Sequence, residues 1–158
     1  MAKSPYDIAP DATYAEAAHT SIRQQLDEML SNLPGTKAGD DIEALHDMRV
    51  ASRRLRAALS VFAAAFPPGP FRKMEREVAR VTDALGAVRD GDVQLEFLQS
   101  VLDSAPESER VGLTAFAEHL RRERDRERVI LVKELNRLEK SDFSKDFSKL
   151  LGDRKGDK

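Results

Sequence analysis

The 158-residue chain contains no cysteine and no tryptophan. Without cysteine there is no disulfide, no thiolate metal site and no cysteine nucleophile. The longest apolar run, VFAAAF at residues 61–66, is far shorter than the roughly 20 residues that a membrane-spanning helix needs. The N-terminus also lacks a signal-peptide pattern. We therefore expect a cytoplasmic protein with no membrane partner.

Motifs for cofactor and nucleotide chemistry are missing as well. The sequence has no P-loop, no G-x-G-x-x-G and no G-x-S-x-G motif. Its histidines, His19, His46 and His119, are isolated from one another, and neighbouring arginines repel a cation. General acid–base catalysis needs a second group positioned nearby, and the sequence offers none. We expect no catalytic residue, no metal and no cofactor, and hence a protein that is not an enzyme.

What the sequence does contain is helical periodicity. Turn residues interrupt the chain at 33–39, 67–70 and 103–107, and apolar residues recur between them at steps of three and four. This pattern predicts helices over about 12–32, from Asp40 or Asp41 to the double proline at 67, from Pro70 to about 103, and over about 107–140. Ser104 and Glu107 form a capping-box pattern before the last of these.

These segments predict an all-α fold, an antiparallel four-helix bundle with short connections. The segment DFSKDFSKLL at 142–151 is compatible with an additional short C-terminal helix. The length fits one domain spanning residues 1–158. We expect its ordered core to cover about 12–140.

The second predicted helix carries positive charge along one face. At roughly 100° per residue, its core side consists of Met48, Ala51, Leu55, Ala58, Leu59 and Phe62. The opposite side, called here the basic stripe, consists of His46, Arg49, Arg53 and Arg56. Arg54 lies about a quarter turn or more away, and Glu43 and Asp47 are predicted near Arg54 rather than near the stripe. Neighbouring like charges repel by a few tenths of a kcal/mol per pair. On a chain of net charge −2, the stripe therefore predicts a local site for a polyanion.

The fourth predicted helix carries a weaker version of this pattern. Its secondary stripe consists of His119, Arg122, Arg126, Lys133 and Arg137. The surrounding sequence, RRERDRERV, mixes both signs of charge densely. Two interpretations stay open, a solvated helix with ion pairs between its side chains and a second ligand surface.

The third predicted helix contains LGAVRDGDVQLEF at residues 85–97, with two glycines inside a helical pattern. The structural interpretation is close packing or a local bend, with Arg89 and an aspartate joining neighbouring helices. A catalytic role for Asp90 or Asp92 is the alternative, although carboxylates would repel the polyanion.

HDMRVASRRLRAALSVF at 46–62, followed by LGAVRDGDV at 85–93, resembles the two motifs of the CHAD family, the conserved-histidine α-helical domains. The resemblance covers about residues 12–140. It implies an all-helical domain that binds inorganic polyphosphate through a basic surface, with a link to polyphosphate granules. It assigns phosphate contact to His46, Arg49, Arg53, Arg54 and Arg56. It assigns a second, structural motif to Arg89, Asp90 and Asp92.

The resemblance departs from the family pattern in one respect. Family members typically contain two four-helix units with basic residues lining the groove between them, whereas this sequence has a single H-x-x-R-x-x-x-R-R pattern. We expect a homodimer in which a second copy replaces the other unit. Two further uses of the stripe stay open, binding of RNA or DNA and docking of an acidic protein partner. The lack of an aromatic stacking platform counts against a reader of single strands.

Overall fold

The computed structural model describes residues 7–152; residues 1–6 and 153–158 of the predicted domain lie outside that range. Within it the chain is mostly helical and contains no strand. The α-helices are α1 (Tyr14–Ser31), α2 (Leu33–Ala38), α3 (Ile42–Val61), α4 (Pro68–Ser104), α5 (Glu107–Lys140) and α6 (Phe143–Leu150), and a 3-10 turn, Ala63–Ala65, joins α3 to α4. The prediction of an all-α fold is confirmed. None of the described helices is long and apolar enough to cross a membrane.

The starts of α3 and α5 differ in how they are capped. The Asp41 carboxylate accepts a hydrogen bond from the Glu43 N–H at 2.9 Å, which confirms one of the two predicted caps of α3. The predicted capping box of Ser104 with Glu107 is wrong, because the Ser104 hydroxyl instead donates to the Val101 carbonyl at 3.3 Å. α5 then begins directly after a proline, with no side-chain cap.

The segment predicted as a turn at 33–39 forms a short helix, α2. It ends at Gly39, whose φ of 83° is left-handed and favours glycine. Arg128 of α5 donates hydrogen bonds to the last carbonyls of α2, those of Thr36 at 3.2 Å and Lys37 at 2.9 Å. A helix this short has little stability of its own, so α2 is held by the burial of Leu33 and Thr36 together with this cap from a distant part of the chain.

One hydrophobic core runs through the helices. α1 packs on α3, α3 on α4, and α4 on both α5 and α6. On α3 the predicted core side is correct, since Met48, Leu55 and Leu59 are fully buried. The short C-terminal helix is also confirmed, and Phe143 and Phe147 of α6 are buried in the same core. The hydrophobic core therefore includes α6, which lies beyond residue 140.

α4 and α5 pack against each other and are both much longer than α1 and α3. α4 has 37 residues and α3 has 20, which corresponds to about 55 Å and about 30 Å. The first residue of α3, Ile42, lines a cavity together with Leu95 and Glu96 of α4. The rest of α4, from about residue 97, pairs with the start of α5. Phe97 and Phe116 in this region are 69% and 51% exposed.

Candidate anion-binding site

The basic stripe of α3 borders the groove between α3 and α4. His46 and Arg49 are partly buried, while Arg53, Arg54 and Arg56 are exposed. Arg49 lies beside α4 at Gly86, where a Cβ atom would be 4.0 Å from Arg49 Nε. The Arg49 guanidinium therefore lies next to this turn of α4. The stripe is thus one wall of a groove that two helices form.

Most of the positive charge in the stripe has no acidic partner. Across residues 7–152, Arg49, Arg53 and Arg54 form no ion pair. Arg56 pairs with Asp83 of α4 at 3.5 Å, and both side chains are largely exposed. Arg49 Nε is buried and has no hydrogen-bond partner among the described residues. An unpaired buried donor of this kind costs about 1–3 kcal/mol of desolvation.

A cavity of about 400 Å³ lies where the first turns of α3 meet α4. Its lining residues are Ile42, Glu43, His46, Arg89, Asp92, Leu95 and Glu96. It brings Arg89 of the second motif to the side of His46. Arg89 is partly buried and, among the described residues, has no ion-pair partner. The prediction that Glu43 lies away from the stripe is wrong, since Glu43 and His46 are one turn apart and line the same cavity.

Sequence reasoning placed Arg89 in a structural motif and missed its position beside the stripe. Arg89 follows Gly86 by three residues, which puts both on one face of α4, and this spacing can be read from the sequence. Which face of α4 meets α3 depends on tertiary packing, however, and no local pattern gives it.

The aspartates of the second motif have different surroundings. Asp92 is buried and joins α4 to α5, with Arg124 Nε donating to its Oδ1 at 2.7 Å. Burial lowers the pKa of Arg124, but the hydrogen bond and the charge of Asp92 outweigh it, so this pKa lies above its usual value. A Cβ atom at Gly91 would lie 2.8 Å from Arg124 Cβ and Cγ. Gly91 thus allows the close approach of α5, whereas Asp90 is exposed.

Some side chains of the secondary stripe on α5 form ion pairs, and the others are exposed to solvent. Arg137 donates to Glu77 of α4 at 2.7 Å and to Glu134 at 3.0 Å, and the hydrogen bond to Glu77 raises the pKa of Arg137. Arg126 is paired with Glu123. His119, Arg122 and Lys133 are exposed, and the His119 ring stacks on Phe116 with centroids 6.5 Å apart. Arg137 therefore contributes to helix packing, and the others leave a sparse basic surface.

The part of the chain that the structure describes contains no group of three or more His, Asp or Glu side chains that could hold a metal ion. The fold and the groove together define a class, an all-helical protein with unpaired arginines between two of its helices. The CHAD domain family model matches residues 20–158, and the chain belongs to the CHAD family. CHAD domains are associated with polyphosphate binding in general. No curated protein and no solved structure matches the chain.

Proposed function

We propose that this protein binds inorganic polyphosphate, without catalysis, in the groove between α3 and α4. One observation carries the proposal: Arg49 lies beside Gly86 of α4, Arg89 of α4 lines a cavity with His46, Arg53 follows Arg49 by one turn on α3, and none of the three arginines has an acidic partner among the described residues. Unpaired cations on one face raise the local concentration of an anionic ligand. A single polyanion can provide a negatively charged partner for all of these arginines at once.

The spacing of the stripe suits a chain of phosphates. Arg49, Arg53 and Arg56 rise about one helical turn at a time, roughly 5.4 Å. Each planar guanidinium can donate two hydrogen bonds to one phosphate and stays charged at physiological pH. Arg54 reaches the ligand from the side of the stripe, and His46 adds a ring N–H donor. Because binding displaces counterions, affinity falls as salt rises.

A competition experiment separates polyphosphate from the other polyanions. Labelled long-chain polyphosphate is bound to the protein and displaced with unlabelled polyphosphate or RNA at equal phosphate concentration. The proposal expects polyphosphate to displace the label at much lower concentration than RNA. Equal or better displacement by RNA would assign the groove to nucleic acid instead.

We also infer that the four long helices form an antiparallel bundle. Contacts between opposite helix ends support this. The Tyr14 hydroxyl at the start of α1 donates to the carbonyl of Val61 at the end of α3, at 2.8 Å. Arg56 late in α3 pairs with Asp83 in the first half of α4, whereas His46 early in α3 shares a cavity with residues further along α4.

A second copy of the chain is proposed to complete the groove as a homodimer. Val93 and Phe97 continue the line of Arg89 along α4 at steps of four, and are 47% and 69% exposed. This exposed apolar surface lies next to the basic groove. A second copy of the chain could cover the apolar surface and add positive charge to the groove. Sedimentation at tens of micromolar protein is expected to give a dimer, and a monomer with and without polyphosphate would contradict this. The proposed setting is the cytoplasm, at polyphosphate granules.

A further inference from the structure

We propose that two copies of the chain dock through the end of the α4–α5 hairpin, where the last turns of α4 pair with the first turns of α5. This inference rests on the homodimer of the proposed function and assigns to it a surface and a two-fold symmetry. It follows from a cavity near the tip of the hairpin, whose charges are balanced in sign but not paired with one another.

The cavity has a volume of about 450 Å³, and all of its lining residues belong to α4 or α5. It is therefore separate from the basic stripe and from the groove between α3 and α4. Leu102, which is half-buried, and Ala117, which is buried, form its apolar lining. The charged side chains around them are all exposed and are Asp103, Arg110, Glu118 and Arg121.

These four charges have no charged partner within the protomer. Across residues 7–152, none of them takes part in an ion pair. Asp103 accepts a hydrogen bond from the Gln99 amide at 3.0 Å, and Arg110 Nε donates to the Ala105 carbonyl at 3.1 Å. Because both of these partners are neutral, two positive and two negative charges on one surface stay uncompensated.

This pattern of charge suits a second copy of the same chain. In a two-fold interface, residue i of one copy contacts residue j of the other and the reverse, so the surface must be complementary to itself. A surface with two arginines and two carboxylates meets this condition. A purely acidic or purely basic partner would be attracted by one pair and repelled by the other.

The apolar residues of the hairpin end support the same occupant. Interfaces between proteins place apolar side chains at the centre and charged ones at the rim, as Leu102 and Ala117 lie among the four charges. Phe97 and Phe116 belong to the same part of the hairpin and are 69% and 51% exposed. Docking of a second hairpin thus has both apolar surface to bury and charges to pair.

A charge swap tests this surface. The acidic variant carries Arg110→Glu with Arg121→Glu, and the basic variant carries Asp103→Lys with Glu118→Lys. In each variant alone, like charges meet across the two-fold axis, so the dissociation constant of the dimer is expected to rise by about tenfold or more. An equimolar mixture should dimerise again, because the acidic surface then meets the basic one. Sedimentation at tens of micromolar protein, with one variant labelled, measures all three samples.

A control variant, Arg72→Glu with Lys140→Glu, reverses two exposed charges at the opposite ends of α4 and α5 and should dimerise like the unchanged protein. Recovery in the mixture also shows that both swapped variants fold. With a dimeric unchanged protein, three results would overturn the hairpin surface: dimers in each swapped variant alone, a mixture that stays monomeric, or equal dissociation of the control. A monomeric unchanged protein would instead refute the proposed homodimer and this inference with it. Polyphosphate binding is not a readout here, so its test stays independent.

Discussion

Two glycines of α4 allow a test of the packing between α4 and α5. Gly86 and Gly91 both lie in the interior of this helix, where alanine is favoured over glycine by about 1 kcal/mol. Helix propensity alone therefore predicts that Gly86→Ala and Gly91→Ala stabilise the protein equally.

The neighbours of the two glycines predict opposite outcomes. A Cβ atom at Gly86 would have Arg49 Nε as its nearest contact, at 4.0 Å, which is ordinary van der Waals distance. At Gly91 it would lie 2.8 Å from Arg124 Cβ and Cγ and 3.5 Å from Arg124 Cα. Because the Cβ atom of Arg124 is bonded directly to the backbone and cannot rotate away, α5 itself must shift to relieve the 2.8 Å contact. That shift also disturbs the 2.7 Å bond between Arg124 and the buried Asp92.

These contacts set the expected magnitudes. Overpacking costs about 1–3 kcal/mol, and weakening a hydrogen bond to a buried carboxylate adds about 1–3 kcal/mol. After the gain in propensity of about 1 kcal/mol, Gly91→Ala is expected to lower the free energy of unfolding by about 1–5 kcal/mol. Gly86→Ala is expected to raise it by about 0.5–1 kcal/mol.

Urea unfolding followed by circular dichroism at 222 nm measures both changes. For a chain of this size, 1 kcal/mol corresponds to about 2–4 °C in Tm, so thermal unfolding provides a second readout. Gly86→Ala is the matched control, because it makes the same chemical change in the same helix. If both variants were stabilised to the same extent, the proposed contact between Gly91 and Arg124 would be refuted.

The remaining predictions concern charge. Asp83→Asn releases Arg56, and because exposed ion pairs are worth about 0.2–1 kcal/mol, polyphosphate affinity is expected to rise by about 1.5- to 5-fold in a calorimetric titration. Glu118→Gln, which removes an exposed charge on α5, should change affinity much less, and an equal rise in both would indicate a general charge effect. Burial raises the pKa of Glu134, but hydrogen bonds from Arg137 and Arg80 outweigh it and hold this pKa below its usual value. The stability from these ion pairs is thus present at neutral pH and lost as the pH falls through the folded-state pKa, below about 4.5. Glu134→Gln should lower the free energy of unfolding at pH 7 by about 0.5–1 kcal/mol. The difference from the unchanged protein should shrink as the pH falls through the folded-state pKa of Glu134, and a difference that is constant with pH would refute this assignment.

Local periodicity was sufficient to predict the helices and the phase of α3. Met48 and Leu55 are buried while Arg53 is exposed, because a helix with one apolar face has a single way to bury it. The same phase separated Arg49 and Arg53 from the core without any knowledge of α4.

Features that depend on distant contacts were not predictable in this way. α2 is capped by Arg128, which lies 92 residues after Thr36. The position of Arg89 beside His46 depends on which face of α4 meets α3. The capping pattern at Ser104 failed for a more local reason, since the hydroxyl found an acceptor in the preceding turn of its own helix, a common competitor for serine.

The measurement that tests polyphosphate binding most directly is a titration of long-chain polyphosphate into three proteins at two salt concentrations. These are the unchanged protein, Arg49→Ala with Arg53→Ala, and a charge-matched control, Lys140→Ala with Lys145→Ala, which removes two exposed lysines outside the stripe. The unchanged protein and the control are expected to bind with an affinity that falls steeply with salt, with a slope of about −0.7 per neutralised phosphate by analogy with single-stranded nucleic acids. The stripe variant should lose binding while its helical circular dichroism is preserved. Retention of full affinity by the stripe variant would contradict the assignment of the basic stripe to polyphosphate.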